Sequence, residues 1–317
     1  MTDYDTDLDV EDPALEIVKE IMNYFLIVQC IGIVIELIFL FVMIRNWCMK
    51  VTVLRSPFFY LLTLKTVNDL ILLLYIVVTD YWEEFLYEFY NDTGFLFFLF
   101  IVEADTLCQF AIAVNRFTTL MMPLKQEKIW STTITFSVLI IIPCLSALLT
   151  FVDDKLYEIT SLLIITIYES HTLILISLSI ILILIPITKK IFRYSLTNNA
   201  NAVSTIPSST STSTNSKNQK AEKQLLYETI FVCFWKMLNI VVNIVYQKME
   251  LSEFDEYLLT FIMDFSTFMS NVGGLIFLLW ISSVARNGFK QAFGIKKQEK
   301  TITVTTVSTK VKTISIF

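Results

Sequence analysis

MNYFLIVQCIGIVIELIFLFVMI, residues 22–44, holds one charged side chain, Glu36, and no proline. A helix needs about 20 such residues to cross the hydrocarbon core at 1.5 Å rise each. Six further runs repeat the pattern: residues 58–78 behind Pro57, 94–120 ahead of Pro123, 130–151 with Pro143 inside, a segment within 161–188, 225–246 and 258–280. The fifth leaves room for a short extracellular strand before its helix. In lipid every backbone polar group must be satisfied internally, which keeps open strands out of the spans. The sequence therefore reads as an all-α membrane protein, a seven-transmembrane helix bundle. The composition agrees. Of 317 residues, 55% are hydrophobic and 17% charged, with 26 Phe, against about 25% charged in soluble chains. Disordered, collagen-like and disulfide-scaffold classes are excluded.

Orientation follows from lysine and arginine in the loops. The N-terminal tail and every second loop after it hold only Lys19, Lys155 and Lys248. The alternate set holds Arg45, Lys50, Arg55, Arg116, Lys125, Lys128, Lys189, Lys190, Arg193, Lys217, Lys220 and Lys223, then Arg286, Lys290, Lys296, Lys297, Lys300, Lys310 and Lys312. That set is assigned to the cytoplasm, with the N-terminus outside and the C-terminus inside. An error of one span would reverse the bias partway along the chain, and it does not reverse. Residues 1–21 then form an acidic extracellular tail, 22–280 the seven-helix domain, and 281–317 a cytoplasmic amphipathic helix with a Ser/Thr-rich tail. The Ser/Thr/Asn-rich stretch at about 195–219 reads as a disordered cytoplasmic loop. No cleavable signal peptide is read at the acidic start. The outer acids, from Asp3 to Glu20 and Asp80 to Asp92, form a solvated face or a funnel for cationic ligands. One sequon, Asn91-Asp92-Thr93, falls in an outer loop and marks Asn91 for glycosylation.

Cys30, Cys108, Cys144 and Cys233 fall within helices and Cys48 in a cytoplasmic loop, so no outer disulfide framework can be built. Cys48 is a candidate for palmitoylation. A single histidine leaves no multi-histidine metal centre. No nucleophile-elbow, zincin, dinucleotide or P-loop pattern occurs. No enzyme activity, cofactor, metal or nucleic-acid partner is expected.

Seven acids and two lysines lie within the spans: Glu36, Lys65, Asp69, Glu103, Asp105, Glu169, Glu228, Lys236 and Asp264. Charge at mid-bilayer costs about 2.5–3.5 kcal/mol on insertion scales, so such groups face the bundle and find partners. Lys65, Asn68 and Asp69 share one helical face, and Lys65 can pair with Asp69. Asp105, Gln109 and Arg116 form an inward stripe on the third helix. Glu103 lies nearly opposite and needs another neighbour. Asp264 and Asn271 are seven apart and share a face. Lys236 has Asp264 or Asp105 as its partner. These residues, with Trp235, Glu169 and His171, form either a network that fixes helix packing or a ligand pocket with a movable network below it. His171, at the outer end of the fifth helix, reads as a hydrogen-bonded interfacial histidine or a ligand contact.

At the inner end of the third helix stands Asn115-Arg116-Phe117-Thr118-Thr119-Leu120-Met121-Met122-Pro123-Leu124-Lys125, followed by Lys128-Ile129-Trp130. Arg116 occupies the place where seven-helix G-protein-coupled receptors carry an Asp-Arg-Tyr motif. The stretch resembles nematode serpentine chemoreceptors of class gamma and sister classes, and the seven-span plan resembles them over nearly the whole chain. The resemblance implies a chemosensory receptor that binds an extracellular small molecule and couples to a heterotrimeric G protein. It further implies a plasma-membrane location, in sensory cilia. It places Arg116 as a restraint on the inactive state, pairing with Glu228 or Glu222. Departures are plain: Asn115 replaces the acidic first position, the outer disulfide is absent, and Asn271-Val272-Gly273-Gly274 stands where Asn-Pro would be expected. Residues 286–293 resemble the short eighth helix of such receptors, with Phe289 and Phe293 dipping into the interface and Arg286 and Lys290 meeting lipid headgroups. Phosphorylation of the polar loop or tail would recruit an arrestin-like partner. The alternative is a ligand-gated channel or small-solute transporter, opposed by the absence of a visible repeat and by only six Gly and six Pro.

Overall fold

The computed structural model describes residues 13–49, 54, 56–81, 94–157, 171–189, 213–249 and 251–295. Among these residues no strand occurs, and seven helices are long and apolar enough to cross a membrane. They are α1 Pro13–Cys48, α2 Pro57–Tyr81, α3 Phe95–Met121, α4 Thr132–Tyr157, α5 His171–Lys189, α6 Ser213–Lys248 and α7 Glu253–Ile281. The short α8, Ser283–Ala292, follows. The chain is an all-α seven-helix bundle and a multi-pass membrane protein. The segment ahead of α5 where a strand was considered, Glu169, Asn91, most of the polar loop and the Ser/Thr-rich tail lie outside the described residues.

The bundle is apolar outside and polar within. Ile38, Phe41, Ile140, Leu148, Ile181 and Phe234 are exposed on its outer surface, as a lipid-facing belt requires. In α1 the buried positions run Phe25, Gln29, Gly32, Glu36, Phe39, Met43 and Asn46, alternating steps of three and four that define one inward stripe. Gly32 lets α1 meet α7 closely. A Cβ there would lie 2.8 Å from the Phe268 ring and 2.9 Å from the Val272 side chain. α1 and α7 run parallel. Lys19 pairs with Glu253 at 3.5 Å at their starts, and Asn46 Nδ2 donates to the carbonyl of Gly288, just past the end of α7, at 3.1 Å. An up-and-down bundle brings its first and last helices together in parallel when their number is odd.

Two helices begin earlier than hydropathy alone suggests. α1 starts at Pro13, so the end of the acidic tail is helical rather than part of a separate segment. Proline suits the first turn, Glu16 meets the positive end of the helix dipole, and Leu15 is buried. α6 starts at Ser213, which makes the last seven residues of the stretch at 195–219 helical rather than disordered. The Lys, Gln, Ala and Glu residues of 217–224 are strong helix formers and need no bilayer to continue a helix.

α7 departs from the α-helical period. Met269–Gly273 form a π turn, whose wider i→i+5 bonding inserts residues into the turn. Asn271 is buried, whereas Asp264 is half-buried. The α8 expectation needs a second correction. Phe289 does not dip outward: it packs against Phe39 of α1, ring centres 5.9 Å apart. Arg286 turns back to cap the end of α7, donating through Nη1 to the carbonyls of Leu279, at 3.1 Å, and Trp280. The last carbonyls of a helix lack intrahelical donors, and a guanidinium satisfies them. Phe293 is exposed, as an interfacial residue would be.

Candidate functional site

The intramembrane charges converge. Lys65 of α2 projects inward beside Asp69, one turn on, with Nζ 2.5 Å from Asp69 Oδ2. Its ammonium also lies 3.4 Å from Asp105 Oδ1 of α3 and 3.3 Å from Asn271 Oδ1 of α7. An ammonium has three protons, and here it faces three acceptors on three helices. The other oxygen of Asp105 pairs with Lys236 of α6. Lys236 thus takes the Asp105 partnership, one of the two the sequence left open. The chain Asp69–Lys65–Asp105–Lys236 links α2, α3 and α6, and Asn271 adds α7. Ser270 Oγ donates to Asn271 Oδ1 at 2.9 Å, fixing that amide. All of these side chains are buried.

Neutral polar contacts frame the chain. Asn68 Nδ2 donates to the carbonyl of Ile101 at 2.7 Å, tying α2 to α3. Gln109 Nε2 lies 3.4 Å from Cys233 Sγ, tying α3 to α6. Asn239 Nδ2 reaches the Met263 carbonyl and the hydroxyls of Ser266 and Thr267, at 2.9, 3.0 and 3.0 Å, tying α6 to α7. Trp235 stands edge-on to Phe265, 5.6 Å between centres.

Glu103 has the separate neighbour its position requires. It is fully buried, and His171 Nε2 lies 2.5 Å from its Oε1. The pair joins α3 to the start of α5, apart from the central chain.

The C-terminal end of α3 is built from the quoted motif. Arg116 is buried, its guanidinium 3.9 Å from the centre of the Phe58 ring. A cation over an aromatic face is held by the ring quadrupole. Glu228 of α6 is buried, and the fields of Lys65 and Arg116 both act on it. The side chain of Glu222 lies outside the described residues. Asn115 is buried, and neither polar atom of its side chain has a hydrogen-bond partner among the described residues. The loop after Pro123 folds back on α3: Trp130 Nε1 donates to Thr118 Oγ1 at 2.7 Å, and Gln126 Nε2 to Thr119 Oγ1 at 2.9 Å. The Trp130 part of the motif thereby has a structural role.

One member was not singled out for the site by the sequence. Glu36 of α1 is fully buried, and Asp69, Lys65 and Asp105 all act on it electrostatically. The inward stripe through Gln29, Gly32 and Phe39 is the signal that marks it. Among the described residues no cluster of His, Cys, Asp and Glu is arranged to hold a metal ion. Comparison with protein-family models and with curated proteins gives no match to this chain.

Proposed function

We propose that this protein is a chemosensory G-protein-coupled receptor of the plasma membrane, with its N-terminus outside. An extracellular small molecule binds among α3, α5, α6 and α7, and the inner end of the bundle engages a heterotrimeric G protein. The observation that carries this reading is the buried ionic chain across α2, α3, α6 and α7. Such a chain ties helices by contacts that can be exchanged in discrete steps, which suits a bundle with two packed states. A ligand with different affinity for the two states shifts the population between them. Arg116, held on Phe58 within the electrostatic reach of Glu228, suits a restraint on the inner end of α6. The excess of basic residues in alternate loops supports the orientation.

The test is expression of the full chain with a promiscuous G-protein reporter, screened against chemically diverse small molecules. Ligand-dependent reporter activity is expected. Ligand-dependent current or flux without any G protein would instead assign a channel or transporter.

A further inference from the structure

The buried ionic chain does not balance. Around Lys65 and Lys236 stand three carboxylates, Asp69, Asp105 and Glu36. The three protons of Lys65 face Asp69, Asp105 and Asn271. Lys236 is engaged by Asp105. Glu36 remains: it has 0% exposure, and neither carboxylate oxygen has a hydrogen-bond partner among the described residues. Asp69 Oδ1 is also a buried acceptor with no donor.

Among the described residues no further cation faces Glu36 from the neighbouring helices. α2 contributes Lys65 and Asp69, and α3 contributes Asp105. At this depth α7 offers the neutral Ser270 and Asn271. Arg286 and Lys290 of α8 lie at the level of Asn46, ten residues further along α1, about 15 Å away at the helical rise. Glu228 and Arg116 add one charge of each sign and leave the imbalance unchanged.

We propose that Glu36 is a proton-binding site, and that the protein carries one proton there in the packed bundle. A proton removes the surplus negative charge. It also turns Glu36 into a donor, and Asp69 Oδ1 and Asp105 Oδ1 are both buried acceptors without a hydrogen-bond donor among the described residues. A carboxyl–carboxylate contact from Glu36 would join α1 to the chain. The proposal stands apart from the receptor reading, because its test needs neither ligand nor G protein.

The experiment is infrared spectroscopy of the purified full chain in lipid nanodiscs at neutral pH, in H2O and D2O. The expected result is a protonated-carboxyl C=O band that Glu36→Gln removes while the chain stays folded. Asp69→Asn should remove it too, because Lys65 is then free to neutralise an ionised Glu36. If Glu36→Gln fails to fold, Glu36→Asp decides the matter: the band should shift in frequency, and an unshifted band places the proton elsewhere and overturns the proposal. A wild-type spectrum with no such band overturns the proposal, as does a band that survives Glu36→Gln in the folded chain. So does a melting temperature that rises when sodium replaces choline at constant ionic strength, since a metal cation would then be the occupant.

Discussion

Asp105 of α3 and Lys236 of α6 form a buried ion pair while the second oxygen of Asp105 faces Lys65. Asp105 is the hub of the chain, because it is the only described acid paired with both lysines. Losing a partner of a buried pair leaves an uncompensated charge, which costs about 3–5 kcal/mol. Lys236→Met alone should lower the thermal stability of the detergent-purified chain sharply. Asp105→Asn combined with Lys236→Met should recover part of the loss, with a coupling of about 0.5–3 kcal/mol. Strict additivity of the two substitutions in thermal unfolding would show that the pair contributes no coupling.

The Glu103–His171 contact makes a similar prediction at the N-terminal end of α5. Glu103 is fully buried, so His171→Ala strands a carboxylate. We expect a loss of about 1–3 kcal/mol, the penalty of a buried group left unsatisfied. Adding Glu103→Gln should restore most of it, since a neutral amide is cheaper to bury. Melting temperatures of the two variants decide the point.

Gly288 sits where a Cβ would come within 2.5 Å of Leu54 Cδ1, and its carbonyl accepts from Asn46. Gly288→Ala should push α8 away from α1 and cost about 1–3 kcal/mol, as overpacking does. Faster proteolysis between α7 and α8 would report the detachment, and unchanged cleavage would refute it.

If the proposed coupling holds, Arg116→Ala should change G-protein activation while leaving surface delivery intact, because the residue is buried at the C-terminal end of α3 rather than in the lipid-facing belt. Reporter assays alongside surface labelling separate the two effects. Ligand-driven activation at wild-type levels would remove Arg116 from the coupling role.

Epitope tags test the orientation. A tag on Met1 should be accessible on unpermeabilised cells, and a tag after Phe317 only after permeabilisation. Both tags on one side would be incompatible with an odd number of spans.

The number and approximate position of the helices were legible in the sequence because lipid imposes a length and a hydropathy on each span, and both are local properties. The Lys65–Asp69 pair was legible for the same reason, being one turn apart on a single helix. The partner of Glu103, the choice of Asp105 for Lys236 and the entry of Glu36 into the chain were not. Each depends on which faces of separate helices meet, and helical periodicity alone does not fix that. The π turn at Met269–Gly273 shows the same limit, because the hydropathy pattern carries no sign of where α7 leaves the α-helical period. Local chemistry thus set the spans, while close packing such as that of α1 on α7 at Gly32 set which charges meet, since burial satisfies a charge only when a partner arrives from another helix.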